Sequence, residues 1–216
     1  MATNELDAVN RAINRTVQNR IDTRAMQTLL GICSGIAADQ SINDKEISYL
    51  QTWLSDHQSI RDQWPASAIH CRIQDILSDG IITSGEREDL LIKLQELTGN
   101  YFNDTGSASV EGPAMPLDDD PSIFFSNMSF CFTGDFLYGT RAACERAVLK
   151  LGAMPQDRVT KKLNYLVIGS RCNPDWIGET YGKKIELAVK YREEGTEICI
   201  TSENQWTNAL LDSNRQ

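Results

Sequence analysis

The sequence predicts two domains: an N-terminal all-α helical bundle over residues 1–98 and a C-terminal α/β unit over residues 123–212, built on a four-stranded parallel sheet. Three observations carry this. In the first half, apolar residues recur at spacings of three and four, as in Ile47, Leu50 and Leu54 and again in Leu90, Leu91, Leu94 and Leu97, with no strand-like alternation. After residue 123, short apolar runs alternate with amphipathic stretches of helical length, the pattern of a sheet covered on its faces. Between them, residues 99–122 read GNYFNDTGSASVEGPAMPLDDDPS, rich in Gly, Ser, Pro and acid and without periodicity, which is linker composition. The 216 residues accommodate two units of about 100 each. A flexible linker of this length leaves the two loosely coupled unless they dock.

The helical half divides at its start signals into expected helices at roughly 4–20, 23–38, 43–57, 65–78 and 84–98. Asn43 or Asp44 opens the third, Pro65 lies just inside the fourth, and Thr83 or Ser84 opens the last, which Gly99 stops. An internal repeat runs through this half. AADQSINDKEISYL aligns with LSDGIITSGEREDL, so that Asp39, Ile42, Glu46 and Leu50 correspond to Asp79, Ile82, Glu86 and Leu90, each pair 40 residues apart. The physical reading is a repeated helical corner. The Asp accepts from turn amides, the Ile plugs the core, and the Glu sits in the first turn of the next helix against its positive end. The loops are too short and acid-poor for a twelve-residue calcium loop, so these acids are read as caps. A divalent cation held by Asp39, Glu46, Asp79 and Glu86, as in a metal-responsive stress protein, is the competing reading. The phrase D-G-x-I-x-x-x-E before a helix resembles the TerB-like, tellurite-resistance-type helical domains over residues 25–98, more closely in the second repeat than in the first, where Gln40 replaces the glycine.

In the second half, SFCFTG is a strand ending in a turn and TRAACERAVLKLGA a helix that Gly152 turns back toward the sheet. NYLVIG is a strand buried on both faces and GKKIELAVKYREEG a helix stopped by Gly195. TEICITSENQWTNALL is a strand followed by a helix capped by Ser202, with Glu203 at its start. Four spaced motifs, FCFTGDF…TRAACERAVLKLGA, VTKKLNYLVIGS, YGKKIELAV and ITSENQW, resemble the BRCT domain. They are closest to its phosphate-binding class, found at the end of bacterial NAD-dependent DNA ligases and in the eukaryotic clamp loader. The resemblance implies that Trp206 plugs the core and that a phosphate pocket falls at Thr133, Gly134, Arg141 and Lys184.

Each of these positions has a chemical reason. Ligands of parallel sheets bind beyond the carboxyl ends of the strands, where Thr133 stands with a donor hydroxyl. Gly134, without a Cβ, lets an anion approach its amide. Arg141 offers a planar fork in the first turn of one helix, and Lys184 an ammonium in the first turn of another. Lys183 replaces Lys184 if the register is off by one. Solvated surface charges and a turn-capping Thr133 are the plain alternative.

Net charge is −9, which argues against general coating of nucleic acid. The acidity belongs to residues 1–122, while residues 123–216 carry twelve Lys/Arg against eleven Asp/Glu and are free to present a basic site. The six cysteines are scattered and only two histidines exist, so no zinc ligand set is visible. The cysteines read as reduced core residues. The longest uncharged runs, Ala25 to Ala38 among them, are 14 residues, short of the roughly 20 a membrane span needs. The opening MATNELDAVN has no basic and apolar secretory pattern. The chain is therefore expected to be cytoplasmic with no membrane partner. Neither a nucleotide-binding loop nor a ligase motif occurs, and no catalytic residue, metal or cofactor is expected. The expected function is a non-catalytic binding module of DNA replication or repair. The C-terminal half holds a DNA 5′-phosphate end and the helical half contacts an unknown protein. The alternative is a phosphoprotein-binding or protein–protein adaptor without DNA.

Overall fold

No glycine or proline interrupts the chain between Ala2 and Leu30, and a single helix, α1 (Ala2–Ala37), results. This corrects the expected pair at 4–20 and 23–38. Thr23, where the second of these was expected to begin, caps nothing: its hydroxyl donates to the Asn19 carbonyl at 2.7 Å, the mid-helix arrangement of a threonine pointing back one turn. The computed structural model describes residues 2–98, 116–170 and 181–213. Helices α2 (Asp44–Asp56), α3 (Gln58–Arg61), α4 (Ala66–Leu77) and α5 (Ser84–Thr98) complete the helical half. The one-turn α3 follows His57 directly and was not foreseen as a separate helix. Leu29, Cys33, Ile36, Ile47, Leu50, Leu54, Ile69, Ile73, Leu90 and Leu94 form its core.

The repeated corners are built as the sequence implies. Ser41 N–H donates to Asp39 (3.1 Å) and Ile81 N–H to Asp79 (2.9 Å). Asn43 and Glu46 form a capping box, and Thr83 and Glu86 repeat it. Arg87, in the first turn of α5, pairs with Asp44 in the first turn of α2, so the two corners face one another. Ile42 is buried and Ile82 half-buried.

The C-terminal half is a four-stranded, all-parallel sheet in the order β2-β1-β3-β4. The strands are β1 (Ser129–Thr133), β2 (Met154–Pro155), β3 (Tyr165–Ile168) and β4 (Cys199–Ser202). Helices α6 (Arg141–Lys150), α7 (Tyr181–Glu193) and α8 (Glu203–Ser213) cover it. Both β1 and β3 are wholly buried, as strands between two helical layers must be. On one face Phe130, Phe132, Phe136, Tyr138 and Trp206 pack together. Trp206, fully buried, meets Phe132 and Tyr138 edge-on at 5.2 and 5.0 Å between centroids, the geometry that ring quadrupoles favour. On the other face Cys131, Leu166, Ile185, Ala188 and Ile200 form a second layer.

Of the expected linker, residues 99–115 and the Gly99 stop lie outside the described residues. Residues 116–122 are not a free tether. Asp118 N–H donates to the Ile200 carbonyl (2.9 Å), the Asp118 carboxylate accepts from Ile200 N–H (2.8 Å), and Arg192 pairs with the same carboxylate. The segment thus covers the outer edge of β4, which would otherwise expose a row of unpaired amides. The two halves also dock. Helix α4 packs along α8, Cys71 joins the core of the C-terminal half, and Leu137 joins the core of the helical half. Lys150 reaches Asp75 and Ser78. Cys33, Cys71, Cys131 and Cys144 are buried free thiols and Cys199 is half-buried; Cys172 lies outside the described residues.

Candidate phosphate site at the end of the sheet

The carboxyl end of β1 is where the topology concentrates close backbone approaches. Thr133 pairs in register with Ile168, and its carbonyl accepts from Gly169 N–H at 2.9 Å. The next residue, Gly134, has φ +90. A Cβ there would be strained whatever the space, and it would sit 3.4 Å from the Gly169 nitrogen. A Cβ on Gly169 would in turn collide with the Asp135 backbone, 2.6 Å from its carbonyl carbon. Two glycines from two loops let the turns after β1 and β3 pass in contact, which keeps side chains off the end of the sheet.

The structure places Lys184 directly at this point. Its ammonium donates to the Phe132 carbonyl (3.3 Å) and lies 3.6 Å from the Cys131 sulfur, one residue before Thr133. The preceding residue, Lys183, is exposed, and it is Lys184 whose ammonium reaches β1. Arg141 is the first residue of α6, directly after the N-cap Thr140, whose hydroxyl accepts from Ala143 N–H. The Arg141 side chain is exposed and makes no ion pair among the described residues.

Both cations act on one buried atom. Burial pushes the Cys131 thiol up, and the charges of Lys184 and Arg141 pull it back. Thr133 is buried, and its hydroxyl has no hydrogen-bond partner among the described residues. Asp135, exposed beside Gly134, is the acid nearest in sequence to this point. The geometry therefore gathers Thr133, Gly134 and Lys184 at the end of β1, while Arg141 stands exposed at the start of the helix that follows the turn. Burial also raises the thiols of Cys33, Cys71 and Cys144, which makes them poor nucleophiles at neutral pH.

Sequence reasoning missed the acid beneath this surface. Glu203 was read only as a helix-start residue. It is fully buried, and its carboxyl accepts from Tyr138 N–H (2.7 Å), Ser170 N–H (2.9 Å) and the Ser170 hydroxyl, with Leu137 N–H contributing as well. Burial pushes its pKa up, against these donors, which pull it down. It ties the loop after β1 to the loop after β3. Its position one residue past the end of β4 is the signal available in sequence, since that is the edge at which the other strands also end.

No helix among the described residues is long and apolar enough to cross a membrane, and no cluster of three or more His, Cys, Asp or Glu among them is arranged to hold a metal ion. No family model, curated protein or solved structure matches this chain.

Proposed function

We propose that this chain is a non-catalytic phosphate-binding module of DNA replication or repair. Its BRCT-like half holds the 5′-phosphate of a DNA end and its helical half contacts a protein. The observation that carries the reading is Lys184, which reaches from the first turn of α7 to the Phe132 carbonyl beside the Thr133–Gly134 turn, while Arg141 stands exposed and without an ion pair among the described residues in the first turn of α6, the helix this turn leads into. Single cations in a helix first turn oppose the macrodipole. An anion placed between them turns both unfavourable placements into favourable ones, through charge-assisted bonds and the free amides of the turn. Thr133 donates its hydroxyl, Gly134 its amide, Arg141 a planar fork and Lys184 a point charge.

The test is a titration of the whole chain against three matched ligands: a 5′-phosphorylated duplex, the same duplex unphosphorylated, and a phosphoserine peptide. The phosphorylated duplex should bind more tightly than the unphosphorylated one. Arg141→Ala should weaken it about tenfold, or about 1.4 kcal/mol, with folding intact because the side chain is exposed. The salt dependence should be shallow, since few phosphates are met. Equal affinity for both duplex ends removes the reading. The acidic balance of residues 1–122 favours a second one, a phosphoprotein adaptor without DNA, and the peptide arm decides between them.

A further inference from the structure

The turn between β1 and α6, residues 134–140, starts at the candidate site, leads into Arg141 and has its middle inside the helical half. Gly134 opens it and Thr140 leads into Arg141. Between them Leu137 is buried among Leu29, Ile69, Leu90 and their neighbours. The Tyr138 ring lies 5.7 Å from the guanidinium carbon of Arg72. Arg72 is itself 2% exposed and is held on α4 by Asp75 (2.8 Å) and on α5 by Asp89 (3.0 Å). At Gly139 a Cβ would stand 2.8 Å from the Asp89 carboxylate and 3.2 Å from the Arg72 Nε, so the backbone of the turn is seated against this charged clamp. From the other side Glu203 takes the Tyr138 amide.

We propose that Arg72 is a positioning residue for the phosphate site. With Asp75 and Asp89 it clamps residues 137–139 and so fixes where Gly134 and Arg141 stand relative to one another. The inference rests on the phosphate reading of the preceding subsection. A seven-residue turn with glycine near each end has wide backbone freedom when isolated. Ordering it at the moment of binding would cost affinity, and a turn ordered beforehand spares that cost. The helical half thus supplies the rigidity that the turn lacks, and it does so 67 residues away in sequence, between Arg72 and Gly139, without touching the ligand.

The experiment is a double-mutant cycle on the full chain. Wild type, Arg72→Met, Arg141→Ala and the double variant are titrated with the phosphorylated and unphosphorylated duplexes. Arg72→Met should weaken the phosphorylated end alone, by roughly three- to tenfold, the scale of ordering a turn on binding. The double variant should bind no more weakly than Arg141→Ala, because a misplaced arginine and a missing one are equivalent. Asp89→Asn, which keeps the shape of the clamp and removes one charge, gives the same readout if Arg72→Met does not fold. Additive losses, or equal losses on both duplexes, show a general effect on stability and overturn the positioning role. A loss from Arg141→Ala with none from Arg72→Met or Asp89→Asn overturns it while leaving the phosphate site intact. No loss of phosphate preference from Arg141→Ala overturns the site and the positioning role together.

Discussion

Gln40 and Gly80 occupy the same place in the two repeated corners, and both have left-handed backbone, with φ of 57 and 76. Glycine adopts that conformation without strain, whereas a residue with a Cβ loses about 1–2 kcal/mol, partly offset by the extra freedom glycine has when unfolded. Gln40→Gly should therefore stabilise the chain by about 0.5–1 kcal/mol, read as a rise in the urea midpoint with unchanged slope; a lower midpoint would place the strain elsewhere. The mismatch is legible in the sequence because the repeat is exact in spacing. The same holds for the strand end at Thr133 and the helix starts that carry Arg141 and Lys184, which short motifs mark in the sequence. Arg72 and Glu203 are not legible in that way. Each reads as an ordinary charge on a helix, and what buries it comes from residues 33 or more positions distant, Tyr138 above the one and Tyr138 with Ser170 around the other.

Among the elements, α1 departs furthest from expectation. Its 36 residues extend about 54 Å at 1.5 Å per residue. Among its described side chains, those that enter the core lie from Ala25 onward, through Leu29, Cys33 and Ile36. From Arg11 to Ile21 every side chain that is described is exposed, including Ile13, Val17 and Ile21. Asp22 marks the point where helix meets body: hydrogen bonds from the Ser59 hydroxyl and then from Gln18 and Gln63 hold its carboxyl below the usual range. Deleting residues 2–20 should consequently leave the melting temperature nearly unchanged. Leu29→Ala, nine residues further on, should cost about 2–5 kcal/mol. A large drop on deletion would mean that the exposed stretch is covered in solution. The continuity of this helix runs against the expected break near residue 21, where the chain carries no glycine or proline to interrupt it and the Thr23 hydroxyl turns back to the preceding turn. The sheet, by contrast, was readable strand by strand, since a run such as Tyr165–Ile168 fits only a position buried on both faces.

For the whole molecule the decisive feature is that each half lends residues to the other's interior. Cys71 belongs to the core of the C-terminal half and Leu137 to that of the helical half, with the Arg72 clamp and the Lys150–Asp75 pair at the boundary. Unfolding in urea should accordingly be a single transition. Far-UV circular dichroism and the fluorescence of Trp53 and Trp64 against that of Trp206 should coincide in midpoint. Two separated transitions would show that the halves are coupled too weakly to melt together. Docking was not legible because linker composition speaks only of the segment itself, and the surfaces that meet are parts of α4 and α8 whose apolar residues read equally well as facing their own domain.

The position of Leu137 also sets a timetable. All five helices of the first half are complete in sequence by residue 98, yet the residue that closes their core emerges from the ribosome about 40 residues later, roughly 2–8 s at ordinary elongation rates. During that interval the buried arginine has its two carboxylates but not the aromatic ring that roofs it. The nascent helical half therefore waits with one side of its interior uncovered. Its maturation is completed from downstream, by the same turn that later leads into Arg141.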